Sequence, residues 1–79
     1  MSSTKTIEKL ISAVLKKATY NSTRTEFCCN FKCTARQRAL AETLKTNYVG
    51  ISVDGNEWMI KTSFHWSSQM PVYFYGYKK

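Results

Sequence analysis

Proline, glycine, acidic residues and long apolar runs are all scarce in this sequence. One proline and three glycines in 79 residues, with 43% hydrophobic and 14% aromatic side chains, exclude a disordered or low-complexity chain. They predict a single folded domain over 1–79. No apolar run exceeds four residues, against roughly 20 needed to span a bilayer, so no membrane partner is expected. Lys5, Glu8 and Lys9 interrupt the place where a signal peptide would carry its apolar segment. The expected location is therefore the cytoplasm, and the triplet Asn21-Ser22-Thr23 is a chance match to a glycosylation acceptor.

Catalytic chemistry is equally thin. The only histidine is His65, and no Ser, Cys or Asp is spaced to form a triad with it. Glu8, Glu26, Glu42, Asp54 and Glu57 are scattered, each with a turn or surface role, and no glycine-rich phosphate loop is present. Cys28, Cys29 and Cys33 make an odd set within six residues. A structural metal wants four N or S ligands, usually as a repeated pair, so neither a metal nor a cofactor is expected. Reduced, partly buried thiols acting as small hydrophobes fit better. A non-enzyme is the expectation.

What the sequence does have is positive charge. Twelve Lys and Arg against five Asp and Glu give +7. Such a field speeds encounter with anionic partners, nucleic acid or an acidic protein surface among them, but says nothing of fold.

The apolar pattern carries the fold. Ile7, Leu10, Ile11, Val14, Leu15 and Ala18 recur as one stripe of a helix over about 4–18. The Thr-, Asn- and Ser-rich stretch 19–26 predicts a turn. Phe27, Cys29, Phe31 and Cys33 then alternate as a half-buried strand. Thr34 with Gln37 forms a capping box for a second helix over about 35–46, its Arg36, Arg38 and Lys45 outward. Val49, Ile51 and Val53 alternate before Asp54-Gly55, and Trp58, Ile60, Thr62, Phe64 and Trp66 after it, which predicts a hairpin with a two-residue turn. In that register Ile51 faces Trp58 and Val49 faces Ile60; a turn shifted by one residue sets Asp54 against Glu57, a like-charge pair. A last strand follows Pro71, with Val72 and Phe74 toward the core beside Phe64 and Trp66. The order α-β-α-β-β-β predicts an α+β two-layer sandwich, two helices on one face of a mainly antiparallel four-stranded sheet.

Alternation then dictates the other face: Asn30, Lys32, Tyr48, Ser52, Glu57, Met59, Lys61, His65, Tyr73, Tyr75 and Tyr77. Tyrosines on an open sheet stack on unpaired bases while lysines hold phosphates. The expected binding residues are Lys32, Tyr48, Met59, Lys61, His65, Tyr73, Tyr75, Tyr77, Lys78 and Lys79, with Arg36 and Arg38 as outlying phosphate contacts. Tyrosine is also an ordinary strand residue, and Tyr and Met are enriched at protein interfaces. The same face therefore equally suits a homodimer or a protein-binding inhibitor or adaptor. By size and charge the chain resembles phage or mobile-element proteins that inhibit host machinery; for the inhibitor reading, an example is a phage-encoded anti-defence protein acting in the host cytoplasm on a nucleic-acid-processing complex. The tyrosine-bearing sheet is similar in plan to sheets that bind single-stranded RNA, but lacks the aromatic-glycine signature of their third strand.

Overall fold

The computed structural model describes residues 3–64 and 71–79. Helix α1 (Ser3–Lys17) is followed by strands β1 (Thr19–Tyr20) and β2 (Glu26–Phe31) and helix α2 (Ala35–Glu42). Strands β3 (Val49–Val53), β4 (Asn56–Ser63) and β5 (Val72–Lys78) complete an α+β fold. All strand pairs are antiparallel, in the order β1-β2-β5-β4-β3, so the last strand in sequence sits at the centre of the sheet.

The predicted stripe of α1 is the one it buries. Leu10, Ile11, Val14 and Leu15 join Phe27, Cys29, Ile51, Trp58, Ile60, Val72 and Phe74 in a single core. Fully burying each of these aliphatic side chains stabilises the fold by about 1.5–3 kcal/mol. Lys16 and Lys17 in the last turn suit the negative end of the helix dipole. Phe31 and Phe64 pack against the rim of this core, while Trp66 and the expected turn after it lie outside the described residues.

The hairpin forms as its sequence dictates. Asp54 and Gly55 take φ of 51° and 84°, the left-handed pair a type I′ turn requires. Ile51 pairs with Trp58 and Val49 with Ile60.

Two expectations need correction. The sheet has five strands, because Thr19 and Tyr20 pair with Cys28 and Phe27 inside the segment expected to be only a turn. Asn21 makes the short connection possible: its side-chain oxygen accepts from the Thr25 and Glu26 amides at 2.8 and 3.0 Å. Helix α2 stops at Glu42 rather than 46. The capping box starts it as expected, with the Gln37 amide donating to Thr34 Oγ1 and the Thr34 amide to Gln37 Oε1. Its end is set by tight bonds from the Thr43, Leu44 and Lys45 amides to carbonyls three residues back. That tightening lets the Leu44 carbonyl accept the Thr62 amide of β4, beyond the point where β3 begins. Helix α1 packs along the sheet, and α2 adds Ala41 to the same core near its C-terminal end.

Candidate functional site

The central position of β5 decides what the open face carries. Along it Val72, Phe74 and Gly76 are buried toward α1, so Tyr73, Tyr75 and Tyr77 go to the opposite side. Each stands in a cross-strand row: Asn30–Tyr73–Ser63, Cys28–Tyr75–Lys61 and Glu26–Tyr77–Met59. The buried residues of both helices belong to the other face, so among the described residues no helix covers the tyrosines.

The rings form one cluster. Tyr73 and Tyr75 stack with centroids 5.3 Å apart and planes 29° off parallel. Tyr48, from the residue before β3, meets Tyr75 edge-on at 6.1 Å and Tyr77 at 5.3 Å. The Lys61 ammonium lies 5.8 Å from the Tyr48 ring, a cation–π contact. Tyr48 and Tyr77 each keep 42% of their surface exposed, while Tyr73 and Tyr75 are half-buried. Beside the cluster runs an open groove of about 630 Å³ between Tyr20, Cys28 and the four tyrosines.

The Cys28 thiol belongs to this face too. A hydrogen bond with Cys28, in which the Tyr73 hydroxyl donates, raises the Tyr73 phenol above its ordinary value, with partial burial and the neighbouring Cys28 and Tyr75 adding. All three cysteines are free thiols, and among the described residues no group of three or more His, Cys, Asp or Glu is placed to hold a metal.

The residues singled out by the sequence divide between two faces. Tyr48, Met59, Lys61, Tyr73, Tyr75 and Tyr77 come together on the open side. Lys32 follows directly on β2, past the Phe31–Val72 pair and so near the Tyr73 end. Lys79 sits opposite Glu57, its amide donating to the Glu57 carbonyl at 2.9 Å. Lys78 does not join them: it pairs with the buried Trp58 and lines a cleft with Leu15 and Lys16 on the helix side. Arg36 lies near Lys9 and Leu10 of α1. Arg38, expected to point outward, is half-buried, with its guanidinium 5.1 Å from the Phe64 ring. His65 lies outside the described residues.

Charge is uneven across the open face. Lys61 lies against Tyr48 and pairs with Tyr75, and Glu26 pairs with Tyr77 at the other end. Arg24 was not singled out by the sequence. It looks like any charged turn residue there, but its backbone takes φ 58° and its guanidinium lies 4.2 Å from the Tyr20 ring centroid.

No family model, no curated protein and no solved structure matches this chain. The arguments for its function are those of the site itself.

Proposed function

We propose that this chain is a small non-catalytic binding protein that takes single-stranded nucleic acid on its tyrosine face. One observation carries the reading: a sheet face that no described helix covers, with four clustered tyrosine rings and Lys61 among them, on a chain of net charge +7. Half-buried Tyr73 and Tyr75 are held by their neighbours, so little side-chain freedom is lost when a base stacks on them. Each such stack is worth about 1–3 kcal/mol. Lys61, with Lys32 at the Tyr73 end, supplies the phosphate contacts, while Glu26 disfavours phosphate near Tyr77.

Met59 and the mutual packing of the rings favour a second reading, in which the same face is the hot-spot patch of a protein-binding inhibitor or adaptor. One experiment separates the two. Binding of a fluorescent mixed-sequence single-stranded oligonucleotide is followed at several salt concentrations, with duplex as control. The nucleic-acid reading expects tighter binding to the single strand and a steep fall of affinity with salt. Absence of binding at low salt overturns it and leaves the protein-binding reading.

A further inference from the structure

A second concave site lies on the helix side of the sheet, at the end where three turns of chain converge. Lys16 comes from the last turn of α1, Arg24 from the β1–β2 turn, Asp54 and Asn56 from the β3–β4 turn, and Lys78 from the end of β5. Tyr20 and Trp58, with ring centroids 6.1 Å apart, supply the aromatic wall. The cleft measures about 370 Å³, within the size range of small-molecule sites.

Three cationic residues from distant parts of the chain thus line a cleft that has a single carboxylate residue. Among the described residues none of the three is in an ion pair. Gathering like charges costs Coulomb energy that a fold indifferent to anions would avoid by spreading them.

Arg24 is fixed in place. Its left-handed backbone is held by its own amide donating to the Asn21 carbonyl at 3.0 Å, and by the Asn21 side chain gripping Thr25 and Glu26. The guanidinium lies 4.2 Å from the Tyr20 ring centroid, and the Tyr20 hydroxyl donates to the Leu15 carbonyl at 2.7 Å. Lys78 is anchored beside it, its amide donating to the Thr25 carbonyl at 2.7 Å. The negative end of α1 would repel an anion here. The Leu15 carbonyl, however, is already taken by the Tyr20 hydroxyl and the Ala18 amide.

We propose that this cleft is an anion site, separate from the tyrosine face and independent of its function, that takes the phosphate of a phosphate monoester. Arg24 presents a planar fork suited to two phosphate oxygens, with Lys16 and Lys78 as flanking point charges. A dianionic monoester suits the excess of cations better than a single negative charge does.

The test is an amide and indole NMR titration of the full chain with inorganic phosphate, against sodium chloride at equal ionic strength. The expected result is a saturable shift concentrated at the Trp58 indole and the Arg24 and Lys78 amides. Arg24→Gln weakens phosphate binding by about tenfold. Lys78→Gln, which leaves the Arg24 turn intact, weakens it by a smaller factor. Shifts spread over every lysine and reproduced by chloride overturn the proposal, as does wild-type affinity in both variants. The source of the phosphate is read in a Tyr73→Ala/Tyr75→Ala background, which removes stacking on the other face. A 5′-phosphorylated oligonucleotide that outbinds its 5′-hydroxyl twin through Arg24 assigns a strand end. A mononucleotide that binds as tightly as that oligonucleotide, again through Arg24, assigns a free nucleotide. Indifference of both probes to Arg24→Gln overturns the proposal.

Discussion

The ring of Tyr48, at the entry to β3, lies 5.3 Å from the ring of Tyr77 on β5, with β4 between the two strands. Tyr48 reaches that far because it leans over β4, where the Lys61 ammonium also meets its ring. A residue outside any strand thus ties the hairpin to the centre of the sheet on the face proposed to bind.

Removal of that ring is the first prediction. Aromatic pairs contribute about 0.5–1.5 kcal/mol beyond the area they bury, and Tyr48 makes two. Because Tyr48 is 42% exposed, Tyr48→Ala is expected to cost only about 1 kcal/mol in urea denaturation. It should also weaken oligonucleotide binding, by loosening Tyr75 and Tyr77. A double-mutant cycle of Tyr48→Ala with Tyr77→Ala should give a coupling of about 0.5 kcal/mol or more; a coupling of zero contradicts the contact.

Tyr73→Ala and Tyr75→Ala address binding directly. Each removes a half-buried stacking surface, and the expected loss is about 1–3 kcal/mol of affinity per ring that holds a base. The salt slope should barely change, since no phosphate contact is lost. A folded double variant that binds the oligonucleotide as tightly as wild type places the strand elsewhere.

Gly76 is the position where the sheet tolerates least. It lies on the buried side of β5, between Phe27 and Ile60. A Cβ there would run into the Met59 carbonyl oxygen and lie 3.1 Å from Ile60 Cα. Both obstacles are backbone of the neighbouring strand, which cannot swing aside as a side chain does. Gly76→Ala is therefore expected to cost about 2–3 kcal/mol, a large share of the 5–15 kcal/mol typical of a folded protein. An unchanged denaturation midpoint would falsify this account of the close approach.

Local signals in the sequence translated well and non-local ones poorly. The stripe of α1, the Thr34–Gln37 box and the Asp54-Gly55 turn are each set within a few residues, and the structure keeps all three. The parity that sends Tyr73, Tyr75 and Tyr77 away from Phe74 is likewise local. Strand order is not: only pairing across the whole chain puts β5 between β2 and β4. The two residues of β1 are too few to show a period, and their partner Phe27 lies across a turn that Asn21 builds with its side chain. Lys78 was grouped with the tyrosines by charge, although the alternation that exposes Tyr77 sends Lys78 to the helix side. Arg24 gave no signal, because its placement depends on packing against Tyr20.

Thr62 should report on the docking of α2. Its buried hydroxyl donates to the Ala41 carbonyl at 2.8 Å, and its amide donates to the Leu44 carbonyl. Thr62→Val keeps the shape and the amide bond but removes the hydroxyl donor. The Ala41 carbonyl retains the Leu44 amide, so the expected cost is about 1 kcal/mol rather than that of an orphaned buried group. Hydrogen exchange should quicken at Leu44 and Lys45 before it does in β4 and β5. Uniform acceleration across the sheet would contradict a local role.

Stability should decline on the alkaline side, from three groups whose protons the fold retains. Burial raises the Cys29 thiol above its ordinary 9.0, with Cys28 adding and Lys17 opposing. Burial likewise raises Cys33, with Arg38 opposing and Cys29 adding. The hydrogen bond with Cys28, then burial, raises Tyr73 above 10.0. Between its unfolded and folded values each group is protonated in the native state and ionised in the unfolded one. The native state then binds more protons, so stability falls as pH rises. Below about pH 9 all three contributions are fully present. The thiol share begins to be lost above about pH 9, and the Tyr73 share begins to be lost above about pH 10. Urea midpoints measured from neutral pH to about pH 11 should therefore be level and then drop. Cys33→Ala and Tyr73→Phe should each make that drop shallower. A midpoint that stays level up to about pH 11 means that these side chains are as well solvated in the folded chain as in the unfolded one.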